Sequence, residues 1–178
     1  MNRIGTIVII VIMICLHGEV ARSFDWKYYG AFSRTAGIDE LLFYDASDLI
    51  NSHDSVKLWV RSVLSVDIEQ RAAESSVVDI VRKRVAAGYK PPITRIHPEA
   101  TYAAYLEEAV RDSTIGVTSE ILYQIACSDR TIRKITGKAF HPDGSVNLGF
   151  GISKWQSIIP QSTADDLAQL VCSPKQNP

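Results

Sequence analysis

Residues 55–64 read Ser-Val-Lys-Leu-Trp-Val-Arg-Ser-Val-Leu. Val56, Leu58 and Val60 alternate with Lys57, Trp59 and Arg61. A period of two with unlike faces is the pattern of a strand in a sheet whose two sides meet different surroundings. One face is apolar. The other carries two cations around Trp59, so it is either solvated or covered by another element.

The upstream residues repeat this pattern. Trp26, Tyr28, Gly30 and Phe32 alternate with Lys27, Tyr29, Ala31 and Ser33, a second strand rich in aromatic residues. Arg34 to Asp39, with Gly37, reads as a turn, and Glu40 to Tyr44 as another short strand. Asp45 to Asp54 is rich in Asp, Ser and Asn, whose side chains bond their own backbone in turns. Three strands in succession predict an antiparallel meander.

The period changes downstream. From Asp67 to Ala87, Ala73, Val77, Ile80, Val81 and Val85 recur at helical spacing, which predicts one amphipathic helix. Gly88 stops it and Pro91-Pro92 prevents a restart. A second helix is expected from Pro98 to Asp112, with Tyr102, Leu106, Ala109 and Val110 as its apolar stripe. Val117 to Cys127 and Thr131 to Phe140 then read as strands joined by a turn at Ser128 to Arg130, forming a hairpin. His141-Pro142-Asp143-Gly144 is a turn, and Ser145 to Gly151 a further strand. Trp155 to Pro160 leads to a last helix, opened by Ser162 with Asp165 or Thr163 with Asp166, and Cys172 lies at its end. The fold class is therefore α+β: about six antiparallel strands, a two-helix insertion within residues 65–115, and a C-terminal helix.

The N-terminus reads as an export signal. Arg3 opens it, Ile4 to Leu16 is almost wholly apolar, and Ala21-Arg22-Ser23 forms a small-residue cleavage site. The apolar run is shorter than the roughly 20 residues a spanning helix needs. Cys15 follows Ile14 rather than a small residue, so it reads as part of the signal core and not as a lipidation site. Removing residues 1–23 leaves 24–178 as a single domain. Arg3, Arg22 and Glu19 leave with the signal, so the formal charge moves from −1 to −2. The longest basic run is Arg82-Lys83-Arg84 in a helical pattern, so no nucleic-acid partner is expected. The membrane is met only through the export signal.

With Cys15 gone, Cys127 and Cys172 remain. In an oxidising compartment they should pair as a structural disulfide, the alternative being two buried thiols.

No catalytic pattern is present. The sequence has no nucleophile elbow, phosphate loop or zinc-protease helix motif. His53, His97 and His141 are separated in sequence and lie in turns or at a helix start. Glu107 and Glu108 are adjacent on a helix, so their side chains point about 100° apart and share no face. Asp165 and Asp166 fit the first turn of the last helix, where negative charge is stabilised. Asp143-Gly144 lacks the other ligands of a calcium loop. No cofactor or metal site is expected and the reading is non-enzymatic. Trp26, Trp59 and Trp155 read as core residues, Trp59 being the best candidate for a binding surface.

The order of several residues carries a resemblance. An aromatic first strand precedes Phe43-Tyr44-Asp45 and Val56-Lys57-Leu58-Trp59. Tyr123 and Cys127, Arg133, Trp155 with Ile158 and Pro160, and Cys172 follow. In this the chain resembles the bacterial surface-adhesin protein E-like family, with residues 65–115 as an addition. The resemblance implies an exported protein of the bacterial periplasm or cell surface, with Cys127 bridged to Cys172. It implies an adhesin-like module that binds host extracellular or envelope proteins. A periplasmic small-ligand-binding or stress-related protein is the second expectation. No ligand-binding residues follow from the resemblance.

Overall fold

The computed structural model describes residues 24–33, 39–90, 100–111 and 113–173. The expected export signal, the turn after the first strand, Pro91-Pro92, His97 and the C-terminal tail lie outside them. An eight-stranded antiparallel sheet is the frame. β1 (Trp26–Ser33), β2 (Asp39–Asp45), β4 (Ser55–Leu64), β5 (Val117–Ala126), β6 (Thr131–Phe140) and β7 (Val146–Phe150) lie side by side in that order. β3 (Ile50–Ser52) pairs with β4, and β8 (Gln156–Ser157) pairs with the start of β6. Both short strands fall in segments that read from sequence as turn or connection, which is why the count is eight and not about six.

The α+β class and the meander hold. The insertion contains three described helices where two are expected: α1 (Ser65–Ala72), α2 (Ser75–Ala86) and α3 (Ala100–Val110). The expected helix over Asp67–Ala87 breaks at Ala73-Glu74, where Glu74 is extended. The break lets two apolar faces point at different targets. Ile68 of α1 packs in the sheet core with Phe43, Val63 and Leu106. Val77 and Val81 of α2 pack instead on Ala104 of α3. Ile80 and Val85, expected in one stripe, stay exposed. Gly88 ends α2 with a φ of +91°, the left-handed region that glycine enters without strain.

Both faces of the β1–β2–β4 half are covered. Helices α1 and α3 lie on one side, over Trp26, Tyr28, Leu41, Phe43 and Val63, and α2 packs on α3. On the other side α4 (Thr163–Cys172) lies over Tyr29, Leu42, Leu58, Val60 and Ile125. Tyr28 and Tyr29 enter opposite cores by strand alternation, and the bulge between Tyr28 and Gly30 then puts Ala31 on the side of Tyr28. Toward β6 and β7 the helices give out, and residues 146–149 are exposed throughout.

The disulfide forms as expected. Cys127, just past β5, is bonded to Cys172 at the end of α4, with Cα atoms 5.6 Å apart. Ser162 caps α4 by accepting from the Asp165 N–H at 3.2 Å. The reciprocal bond of a capping box is displaced by one residue: Asp165 accepts from the N–H of Gln161, at 2.8 Å, rather than from Ser162. Arg130 in the β5–β6 turn pairs with the same carboxylate, so Asp165 ties the helix start to the hairpin.

Candidate functional site

The polar face of β4 resolves into a gradient. Arg61 is buried and its guanidinium lies 4.3 Å from the Trp26 ring centroid. It donates to Glu120 at 2.8 Å and to the carbonyls of Val110 and Ser113 at 3.4 and 3.2 Å. These carbonyls end α3, where a cation is favoured and acceptors need partners. Trp59 is half covered by the helical core. Lys57, at the far end, stands clear of it. The face is thus both covered and solvated, in sequence along one strand.

Beyond Trp59 no helix among the described residues lies on this side of the sheet, and a row of polar side chains crosses it. Lys57 pairs with Gln124 and Gln124 with Arg133, so the three share a face. Gln124 Oε1 accepts from Arg133 Nε at 3.1 Å and Nη2 at 2.7 Å. Gln124 Nε2 donates to Ser55 Oγ at 3.0 Å. The guanidinium held in this way lies 4.4 Å from the ring centroid of Trp155, which is 42% exposed. Trp155 comes from the β7–β8 connection, and Ser153 anchors that connection to β6 through Lys134 N–H, at 2.9 Å, and Lys134 O, at 3.0 Å. Ile152 and Ile159, near it in the sequence, are 71% and 70% exposed. An oriented arginine on an exposed tryptophan has the chemistry of an interface anchor.

The opposite face carries a cleft of about 460 Å³ between α4 and the sheet. Leu42, Val60, Ile121 and Leu167 give it an apolar floor and wall, with Phe150 and Phe32 at its open side. Lys134 reaches the rim, its ammonium 4.9 Å from the Phe150 ring centroid. Among the described residues no carboxylate pairs with it. Tyr123 sits opposite Lys134 on β5. Burial pushes the Tyr29 and Tyr123 hydroxyls above their ordinary range, so both are neutral donors near pH 7.

A third polar cluster lies beside β1. Glu107 is buried and accepts from the Tyr28 N–H at 3.3 Å and from the Tyr89 hydroxyl. Lys27 donates to Tyr89 at 2.8 Å and lies 3.8 Å from the Glu107 carboxylate. Burial raises the pKa of Glu107, against the opposing pull of Tyr89 and Lys27. Glu108 faces elsewhere, to Arg84 at 2.7 Å and Arg111 at 3.1 Å. The adjacent carboxylates therefore share no site, as their helical spacing predicts. Every group in the cluster is engaged by another, and its plain role is to pin α2 and α3 to β1.

The remaining candidates are placed as follows. Cys127 and Cys172 form the bridge. His53 and His141 are exposed in separate turns, between β3 and β4 and between β6 and β7. Asp143 accepts from the backbone and hydroxyl of Ser145 at 2.9 and 2.7 Å, a turn-closing role. Trp26 is core, while Trp155 is an exposed surface residue rather than the core residue expected. Among the described residues no three His, Cys, Asp or Glu side chains group as metal ligands, and no helix is long and apolar enough to cross a membrane. Gln124 and Lys134 are additions from the structure. The signal for them was the hairpin register, which sets 124 opposite 133 and 123 opposite 134.

No family model matches the chain, and no match is found among curated proteins or solved structures.

Proposed function

We propose that this is an exported, non-enzymatic binding module that engages a protein partner through the open sheet face around Arg133 and Trp155. The observation that carries the reading is the braced stack. Gln124 holds the Arg133 guanidinium by two bonds to one oxygen, beside an indole that is 42% exposed. Tryptophan and arginine lead the residues that dominate binding energy at protein interfaces. A fixed fork loses little freedom on docking and is shaped for a partner carboxylate. Lys57 and Lys138 lie on the same face and add positive charge, so the partner presents an acidic patch. An adhesin-like role toward extracellular or envelope proteins agrees with this surface and with the resemblance described above.

The test is surface plasmon resonance of the purified, disulfide-bonded protein over defined matrix and envelope proteins. A specific partner should lose about thirtyfold or more in affinity with Trp155→Ala or Arg133→Ala, the range of an interface anchor. Arg133→Lys should recover little, because the ammonium lacks the planar fork. Unchanged binding in both alanine variants would remove this face from the reading.

A further inference from the structure

The cleft under α4 opens on the opposite face of the sheet from the proposed docking surface, although Arg133 and Gln156 also line it. We propose that it takes the alkyl chain of a single-chain fatty carboxylate, with the carboxylate seated on the Lys134 ammonium.

The volume comes first. About 460 Å³ lies within the range of roughly 300–1,000 Å³ typical of small-molecule sites. Leu42, Val60, Ile121 and Leu167 give it apolar walls, while the buried Glu40 on β2 and Ser62, Ser119 and Gln156 also line it. An alkyl chain placed against those walls removes its own surface from water and covers Phe32 and Phe150, which otherwise face solvent at the open side. Lys134 stands at the rim over Phe150, and the Tyr123 hydroxyl comes from the strand position opposite. Of the other hairpin cations, Arg133 is bound to Gln124, Arg130 to Asp165, and Lys138 lies on the other face of the sheet. Lys134 has no carboxylate partner among the described residues, although it lies beside an apolar cavity. A cation without a carboxylate partner beside these apolar walls favours one negative charge at one end of an apolar chain. A neutral chain would leave the ammonium unmatched, and a short polar anion would leave the cleft unfilled.

The β5–β6 bulge makes this arrangement. The register shifts between Leu122 and Tyr123, so Lys134 faces Tyr123 while Lys138 faces Glu120 on the other side of the sheet. Unbroken alternation would set Lys134 and Lys138 on one face. The bulge leaves a single cation at the cleft.

Isothermal titration calorimetry on the full chain, with the Cys127–Cys172 bridge formed, tests the proposal. The probes are decanoate, dodecanoate, tetradecanoate and dodecanol, each kept below micelle formation. Affinity should rise with chain length by up to about fourfold per methylene until the cleft is full. Dodecanoate should bind about tenfold more tightly than dodecanol, the difference expected of a charge-assisted bond. Lys134→Met should remove that preference while leaving dodecanol binding in place. Ala164→Trp, which sets an indole into the cleft from α4, should abolish binding of both. Its fold is checked by far-ultraviolet circular dichroism, and Lys134→Met serves alone if the tryptophan variant does not fold. No saturable binding of either probe, affinity independent of chain length, or an acid preference that survives Lys134→Met would each overturn the proposal. Full binding by a folded Ala164→Trp variant would do so too.

Discussion

The Arg133 guanidinium lies 4.4 Å from the Trp155 ring centroid, although one residue is in a central hairpin and the other in an irregular connection beyond the next strand. Gln124 fixes the arginine and Ser153 fixes the path of the connection, so the pair is held from both sides. Because Trp155 is largely surface, Trp155→Ala should cost stability only on the scale of an exposed cation–π contact, about 0.5–1 kcal/mol. Urea unfolding checks this. A much larger loss would make Trp155 a structural residue and weaken its assignment to binding.

The Cys127–Cys172 bridge closes a 45-residue loop. In the chain-entropy model that contributes roughly 4 kcal/mol. Cys172→Ser should lower the urea midpoint accordingly, and reductant should lower the wild-type midpoint by a similar amount. Reductant should leave the Cys172→Ser variant unchanged. Loss of less than about 1 kcal/mol would mean that α4 is held by packing alone.

The cluster beside β1 gives a pH signature. Burial holds the Glu107 pKa above the ordinary glutamate value. Its contribution to stability is therefore full below the unfolded pKa and is lost as pH rises through the folded one. Lys27 has the same sign at the alkaline end. Burial lowers its pKa, but the bond to Tyr89 and the charge of Glu107 outweigh burial, so the net direction is upward. Its contribution persists until pH passes above the ordinary lysine range. Glu107→Gln should flatten the loss of stability on going from mildly acidic to neutral pH, measured by thermal unfolding across pH. Lys27→Met should cost about 3 kcal/mol near neutrality, because it leaves a buried carboxylate without its cation.

At the start of α4, Ser162→Ala should cost about 1 kcal/mol, the usual value of a helix cap. Asp165 behaves oppositely to Glu107. The Gln161 N–H and the Arg130 guanidinium hold its pKa below the ordinary aspartate value. Its stabilisation is present above the unfolded pKa and fades as pH falls through the folded one. Asp165→Asn should therefore reduce the acid sensitivity of unfolding. An unaltered acid limb in that variant would count against the tie between α4 and the hairpin.

Much of the sheet was legible because alternation is a local signal. The bounds of β4 and β6 follow the sequence reading directly, and the hairpin register follows from its short turn. The helix break at Ala73-Glu74 was not legible, since both residues are good helix formers and the break serves two separate cores. β3 and β8 are too short to show a period. At the site, the adjacency of Arg133 and Lys134 announces one cation for each face. The bulge that keeps Lys138 away from Lys134 leaves no sequence mark, and neither does the return of Trp155 across Arg133, which only the folded chain brings about.

Alternation along β6 also makes the sheet a partition. Arg133 and Lys134 are neighbours on one strand, yet each looks out on a different surface. A single-residue change can silence one surface and leave the other readable, so the protein carries its own internal control. A preparation that has lost one of the two proposed binding activities can be told from one that has simply lost its fold.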